Sequence, residues 1–179
     1  MKKNLLNKLI HKVIPSLTES KKESNKEEEE EAEKFTPNPN DPADVTFAKT
    51  FTSRGGKFFY CDDQQIFFTH LKQLLKENAW ELPYCGNDEL KELLQPTQLD
   101  FEADYQKADS SISNCEFLIA FNGSVMVSGE QTRNLKIEHL PEVLIIVAYT
   151  SQIVKNISEG LRGIQNKYGK SRPSLVTTI

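Results

Sequence analysis

The chain has 179 residues, 22 Lys and Arg against 26 Asp and Glu, and 37% apolar residues, which suits one globular domain with a polar appendage. No run reaches the roughly 20 uncharged apolar residues that a membrane-spanning helix needs, so no transmembrane segment is expected. The net charge of −4, with most lysines interleaved among acids, argues against a dedicated nucleic-acid binder, whose affinity depends on a concentrated basic face.

Residues 1–14 set Leu5, Leu6, Leu9, Ile10, Val13 and Ile14 at helical spacing among Lys2, Lys3, Lys8 and Lys12, with no acid before Glu19. That is a short basic amphipathic helix. The polar residues Asn7, Lys8, His11 and Lys12 interrupt any secretory apolar core, so the segment reads as retained. It is either a membrane-surface or partner-docking element, or a frayed terminal helix. Residues 15–42 hold the glutamate run Glu27 to Glu31 and then Pro37, Pro39 and Pro42, a composition that buries no core and reads as a disordered acidic and Pro-rich linker. The folded domain is expected over residues 43–179.

Val45, Phe47, Ala48 and Phe51 mark a first helix ending at Gly55-Gly56, followed by a β-prone stretch from Lys57 to Cys61. Asp62 or Asp63 caps a second helix through Ile66, Phe67, Leu71, Leu74 and Leu75, which Asn78 closes. Trp80 to Cys85 reads as a strand, Asn87 or Asp88 opens a helix with Leu90, Leu93 and Leu94, and Pro96 ends it. Phe117–Ala120 and Ser124–Ser128 flank Asn122-Gly123, the dipeptide of tight hairpins. Val143 to Tyr149 lacks polar alternation, as expected of a central strand covered on both faces. Thr150 or Ser151 is placed to cap a helix carrying Ile153, Val154, Ile157, Leu161 and Ile164, and Tyr168-Gly169 ends it. Leu175 to Ile179 is strand-like. The alternation of strand and helix predicts an α/β fold with an open, mostly parallel sheet and flanking helices.

Chemistry is less legible. Cys61, Cys85 and Cys115 are an odd number, widely spaced and without a C-x-x-C, so they read as reduced, buried thiols in the cytoplasm rather than metal ligands or a disulfide framework. There is no phosphate-binding glycine loop and no dinucleotide fingerprint, hence no cofactor is expected. His70 reads as a helix-face residue and His139 as a loop residue. Glu116 precedes an apolar run and reads first as a strand-end charge at the rim. The turn at Asn122, Gly123 and Ser124 is either a plain hairpin or a small concavity whose amides meet an anion. Ser151 and Gln152, beyond the carboxyl end of the apolar strand, are either a cap or part of a ligand crevice. Arg162 is either a surface ion-pair partner or a carboxylate or phosphate binder. A shared site requires the Asn-Gly corner and the tip of the apolar strand to converge.

The order Ala108-Asp109, Ser113 to Ala120, Asn122-Gly123-Ser124, Leu140-Pro141, the apolar strand and Ser151 to Val154 resembles the LUD-domain family, of the lactate-utilisation protein C type, over roughly Phe47 to Ile179. The resemblance implies a fold like that of the ribose-5-phosphate isomerase and CoA-transferase superfamily. It also implies an accessory or substrate-handling role beside iron–sulfur proteins that oxidise L-lactate to pyruvate. Similar families carry a glutamate before the turn, able to form a thioester, where this chain has Phe121, which offers no nucleophile. Family members also continue with a Gly-Pro-Ser-x-Thr-x-Asp-Ile-Glu segment, and this sequence stops at Ile179 where that would begin. The C-terminal segment is therefore expected to be lacking, leaving a sheet edge for another subunit or a second copy to cover. Two alternatives stand beside the lactate reading: a noncatalytic scaffold, and a phosphosugar or CoA-thioester enzyme using a carboxylate such as Glu116.

Overall fold

The computed structural model describes residues 36–179. The amphipathic segment 1–14 and most of the acidic linker lie outside the described residues. At the domain entrance Asp41 accepts the Lys49 ammonium at 2.8 Å and the Asn38 amide at 2.9 Å, fastening the end of the proline cluster to the first helix.

That helix, α1 (Ala43–Ser53), turns Phe47 and Thr50 inward. The second, α2 (Gln64–Glu77), begins where the Asp63 side chain accepts the Ile66 N–H, ends at Asn78, and buries Phe68, Leu71 and Leu75 along one stripe. The third, α3 (Asp88–Leu94), is capped by Asn87 and runs into a 3₁₀ turn over Gln95–Thr97 that contains Pro96. All three follow the expected boundaries.

The strands depart from them. Residues 57–61 form no ladder, and Phe59 and Tyr60 stand exposed because no partner strand reaches them. In the stretch 80–85 only Tyr84 pairs, by single bridges to Glu102 and Ser111. The six strands are β1 (Ser111–Asn114), β2 (Phe117–Ile119), β3 (Ser124–Ser128), β4 (Leu144–Val147), β5 (Ile153–Val154) and β6 (Val176–Thr178). One sheet pairs β1 with β4 in parallel, and the other has the order β5-β2-β3-β6. In the second, β2 is parallel to β5 and antiparallel to β3, which is antiparallel to β6.

The two sheets are halves of one bent surface. A single stretch of chain passes from β1 into β2 across Cys115 and Glu116, and its parallel neighbour passes from β4 into β5 across residues 148–152. The apolar run 143–149 is thus no central strand: β4 ends at Val147, pairs only with β1, and all four of its residues are half-buried. A 3₁₀ turn over Thr150–Gln152 then breaks the line.

Two further helices each follow a strand. These are α4 (Gly129–Thr132), a single turn after β3, and α5 (Ile157–Tyr168). The cap of α5 is Asn156, whose side chain accepts the Glu159 N–H, rather than Thr150 or Ser151. Helix α1 covers one face of the second sheet, where Phe47 packs with Cys115, Ala120, Val125 and Val127. Helix α5 covers the other, through Ile164 against Ile119 and Met126. It lies close because Gly163 faces the Phe117 ring, which a Cβ there would meet at 2.3 Å. Helices α2 and α3 cover the first sheet around Ile112 and Cys85.

Candidate functional site

The bend of the sheet is where the buried polar chemistry collects. Glu116 sits between β1 and β2, its N–H donates to the Met126 carbonyl at 2.8 Å, and its side chain is 1% exposed, so it is no rim charge. A buried carboxylate without partners is costly enough to be avoided. Here three donors converge on Oε1: the Ser128 hydroxyl at 2.8 Å, the Gln131 amide at 2.8 Å and the Tyr168 hydroxyl at 2.7 Å. The Lys167 ammonium donates to Oε2 at 2.9 Å.

Local sequence explains how those donors arrive. Ser128 and Gln131 form a capping box at the start of α4, the Gln131 Oε1 accepting the Ser128 N–H at 2.7 Å while its amide turns to Glu116. Lys167 and Tyr168 come from the last turn of α5. Across the same bend, Gln152 donates to the Cys115 carbonyl at 2.6 Å and to the Glu116 carbonyl at 3.3 Å, and accepts the Tyr149 N–H at 2.8 Å. One carboxylate and one amide thereby tie both breaks in the strands together.

The electrostatics follow from this packing. Burial alone pushes the Glu116 carboxyl up, but the hydrogen bonds from Tyr168, Gln131, Lys167 and Ser128 outweigh it and hold the group below its ordinary value. Lys167, lowered by burial, is raised on balance by its bonds to Glu116 and Tyr168. Burial and the bond to Glu116 raise the Tyr168 phenol. Burial, with the Glu116 charge beside it, pushes the Cys115 thiol up to about 12. At neutral pH the centre is an ion pair with a neutral phenol and thiol. Each carboxylate oxygen has two lone pairs, so the three donors share Oε1 while the Lys167 ammonium holds Oε2. The group is therefore suited to fixing the bend, and poorly suited to attack or to proton abstraction.

The residues expected at the site fall into separate places. At the hairpin corner, Asn122 Oδ1 accepts the Ser124 N–H at 3.2 Å and its hydroxyl at 2.8 Å. The loop between β2 and β3 has four residues rather than two, with the Gly123 N–H returning to the Ile119 carbonyl at 2.9 Å. Gly123 adopts φ +66°, and a Cβ there would lie 2.6 Å from the backbone of Thr50 and Phe51. What approaches this glycine is helix α1. The Thr50 hydroxyl seals the contact by donating to the Ala120 carbonyl at 2.9 Å.

Ser151 is exposed and Gln152 lies against Cys115 and Glu116, at the opposite end of β2 from the Asn122 to Ser124 corner, on the order of 15 Å along the strand. Arg162 lies on the outer face of α5, exposed and without a side-chain hydrogen bond or ion pair among the described residues. The structure brings Gln152 to Glu116 and leaves Arg162 and the corner apart from them. Ser128, Gln131, Lys167 and Tyr168 were not picked out by the sequence as functional residues, although an acid directly ahead of the apolar run Phe117 to Ala120 and a Ser-x-x-Gln cap were both visible. His70 stacks on Phe59 with ring centroids 5.1 Å apart, and His139 is exposed.

A bent sheet with parallel and antiparallel pairs, covered by helices on both faces, defines a mixed α/β domain. The LUD domain model matches residues 46–179, and the chain belongs to the LUD-domain family, as the ordered segments from Ala108 to Val154 suggested. The fold is similar to the crystal structure of a DUF162 family protein from Deinococcus radiodurans, with a TM-score of 0.60 and 16% identity over 76% of this chain and 85% of that one. No curated protein matches the sequence.

Proposed function

We propose that this chain is an accessory subunit in the oxidation of L-lactate or a related organic acid, working in the cytoplasm with iron–sulfur partner proteins. The observation that carries the reading is the LUD-domain match across residues 46–179. Two features support an accessory over a catalytic part. The Glu116 carboxylate, the one candidate nucleophile of the thioester or phosphosugar alternative, is 1% exposed and is held by Ser128, Gln131 and Tyr168 at Oε1 and by Lys167 at Oε2. The corner before Asn122 carries Phe121, which has no group to attack or to exchange a proton.

In this reading an anionic metabolite meets the assembled complex rather than a cavity of this chain. Ser151 and Arg162 are the two expected ligand residues with exposed side chains and no internal partner among the described residues. Deleting the gene is expected to abolish growth on L-lactate while leaving growth on glucose intact, and the full-length chain restores it. Unchanged growth on lactate overturns the assignment. The scaffold reading differs in one outcome: Ser151→Ala together with Arg162→Ala then leaves lactate oxidation by the reconstituted assembly unaltered, whereas the substrate-handling reading expects it to fall.

A further inference from the structure

Between the end of α1 and the start of α2 the chain runs through Lys57, Phe58, Phe59, Tyr60, Cys61 and Asp62 in neither helix nor ladder. Over these residues no main-chain N–H or carbonyl makes a backbone hydrogen bond among the described residues. The composition is nonetheless that of a strand, aromatic and β-prone. Phe58 and Cys61 are half-buried, while Phe59 and Tyr60 are 43% and 40% exposed. The Phe59 ring is held in place, stacked on His70 of α2, and Ile66, one turn earlier on the same helix face, is exposed as well. A β-prone stretch anchored at its side chains and unpaired along its backbone is a template for an added strand.

The charges at its two ends indicate which strand. Lys57 stands at one end and Asp62 and Asp63 at the other, all exposed and none in an ion pair among the described residues. A parallel neighbour of the same sequence sets like charges side by side, whereas an antiparallel one brings the lysine of each strand to the acids of the other. A twofold axis through an antiparallel pair places one residue opposite itself. With Phe59 at the axis, Phe58 faces Tyr60 of the other copy and Lys57 faces its Cys61, with the ammonium reaching diagonally toward its Asp63 on the same side of the ribbon. Aromatic meets aromatic, and cation meets acid at both ends. We propose that residues 57–62 pair antiparallel with the same residues of a second copy of this chain, joining the two as a symmetric dimer. The contact is isologous and uses the open edge of both copies, so assembly stops at two. The inference goes beyond the organic-acid reading and does not depend on it.

The test uses the full chain in sedimentation equilibrium from micromolar to near-millimolar concentration, with amide hydrogen exchange followed at both extremes. A reversible dimer is expected, and exchange over residues 57–62 slows as it forms. Lys57→Glu sets acids against acids at both ends of the ribbon and raises the dissociation constant at least about tenfold, and adding Asp62→Lys returns it to within about threefold of the parent. Both side chains are exposed and unpaired, so the domain keeps its fold, and the exchange measurement on the parent needs no variant. A chain that stays monomeric throughout overturns the proposal. So does a dimer whose 57–62 amides exchange at the monomer's rate, or one whose dissociation constant Lys57→Glu leaves unchanged. Protection of those amides in the monomer overturns it equally, because another part of the same chain then covers the edge.

Discussion

Glu116 is charged inside the protein because four donors replace its water, and that arrangement has a definite pH signature. Its folded pKa is depressed, so its stabilising contribution is present above the unfolded carboxylate range and is lost as pH falls through the folded value. Glu116→Gln is expected to cost about 3 kcal/mol near neutral pH, because the amide presents donors to donors within a buried network. The penalty shrinks as the medium is acidified from the unfolded carboxylate range down through the folded value, below which the parent is protonated too. Urea denaturation across that range checks the sign, and a penalty independent of pH contradicts the ionised state. Glycines make a second contrast at this scale. Gly123→Ala combines a φ of +66° with backbone at 2.6 Å, and is expected to cost about 3 kcal/mol or more; Gly55→Ala, at φ +85° with nothing within 4 Å, costs only about 1 kcal/mol of backbone strain. Similar values in thermal melts for the two would mean that α1 does not press on the hairpin corner.

Helix ends were readable where the signal is local. Asp63, Asn78 and Asn87 act at the positions their side chains suggest, since a cap needs only the three or four residues beside it. Strands depend on distant partners. The aromatic stretch 57–61 finds none, while Ser111–Asn114, which no pattern singled out as a strand, is built into the first sheet by Leu144–Val147. The apolar run from Val143 misled for a related reason: hydrophobicity records burial and not continuity, so the break over Thr150–Gln152 is invisible in it. The same break moved the helix start to Asn156, and this yields a discriminating substitution. Asn156→Ala is expected to destabilise by about 1 kcal/mol, whereas Thr150→Ala and Ser151→Ala, both at exposed positions without side-chain bonds, lie within about 0.5 kcal/mol of the parent. Urea midpoints showing the reverse order would return the cap to Thr150 or Ser151. The Glu116 centre was hidden by the same non-locality, since its donors lie 12, 15, 51 and 52 residues along the chain.

The domain packs as three clusters, one against the first sheet and one on each face of the second, and the joint between the sheets decides whether they unfold as one. Cys85 belongs to the cluster that α2 and α3 build on β1, Cys115 to the one under α1, and the Glu116 and Gln152 contacts lie between them. Burial pushes both thiols up, so each is protonated and enclosed in the native state. Cys61, half-buried and also raised by burial and the acids beside it, sits outside both clusters. Labelling with a thiol reagent in increasing sub-denaturing urea is expected to modify Cys61 first, without unfolding. Cys85 and Cys115 then react with the same opening free energy and the same urea dependence, as two-state behaviour requires. Because β1 leads into β2 and β4 into β5, opening one cluster pulls apart the strands of the other, and the buried Glu116 carboxylate makes a half-open state leave a charge unmet. A gap of more than about 1.4 kcal/mol between the two cysteines, a tenfold difference in the open population, would show that the bend is a hinge between independent units. Repeating the experiment with Gln152→Ala locates the coupling. If the cross-strand amide carries it, Cys115 becomes accessible before Cys85, since the lost bonds are to its own carbonyl and to that of Glu116.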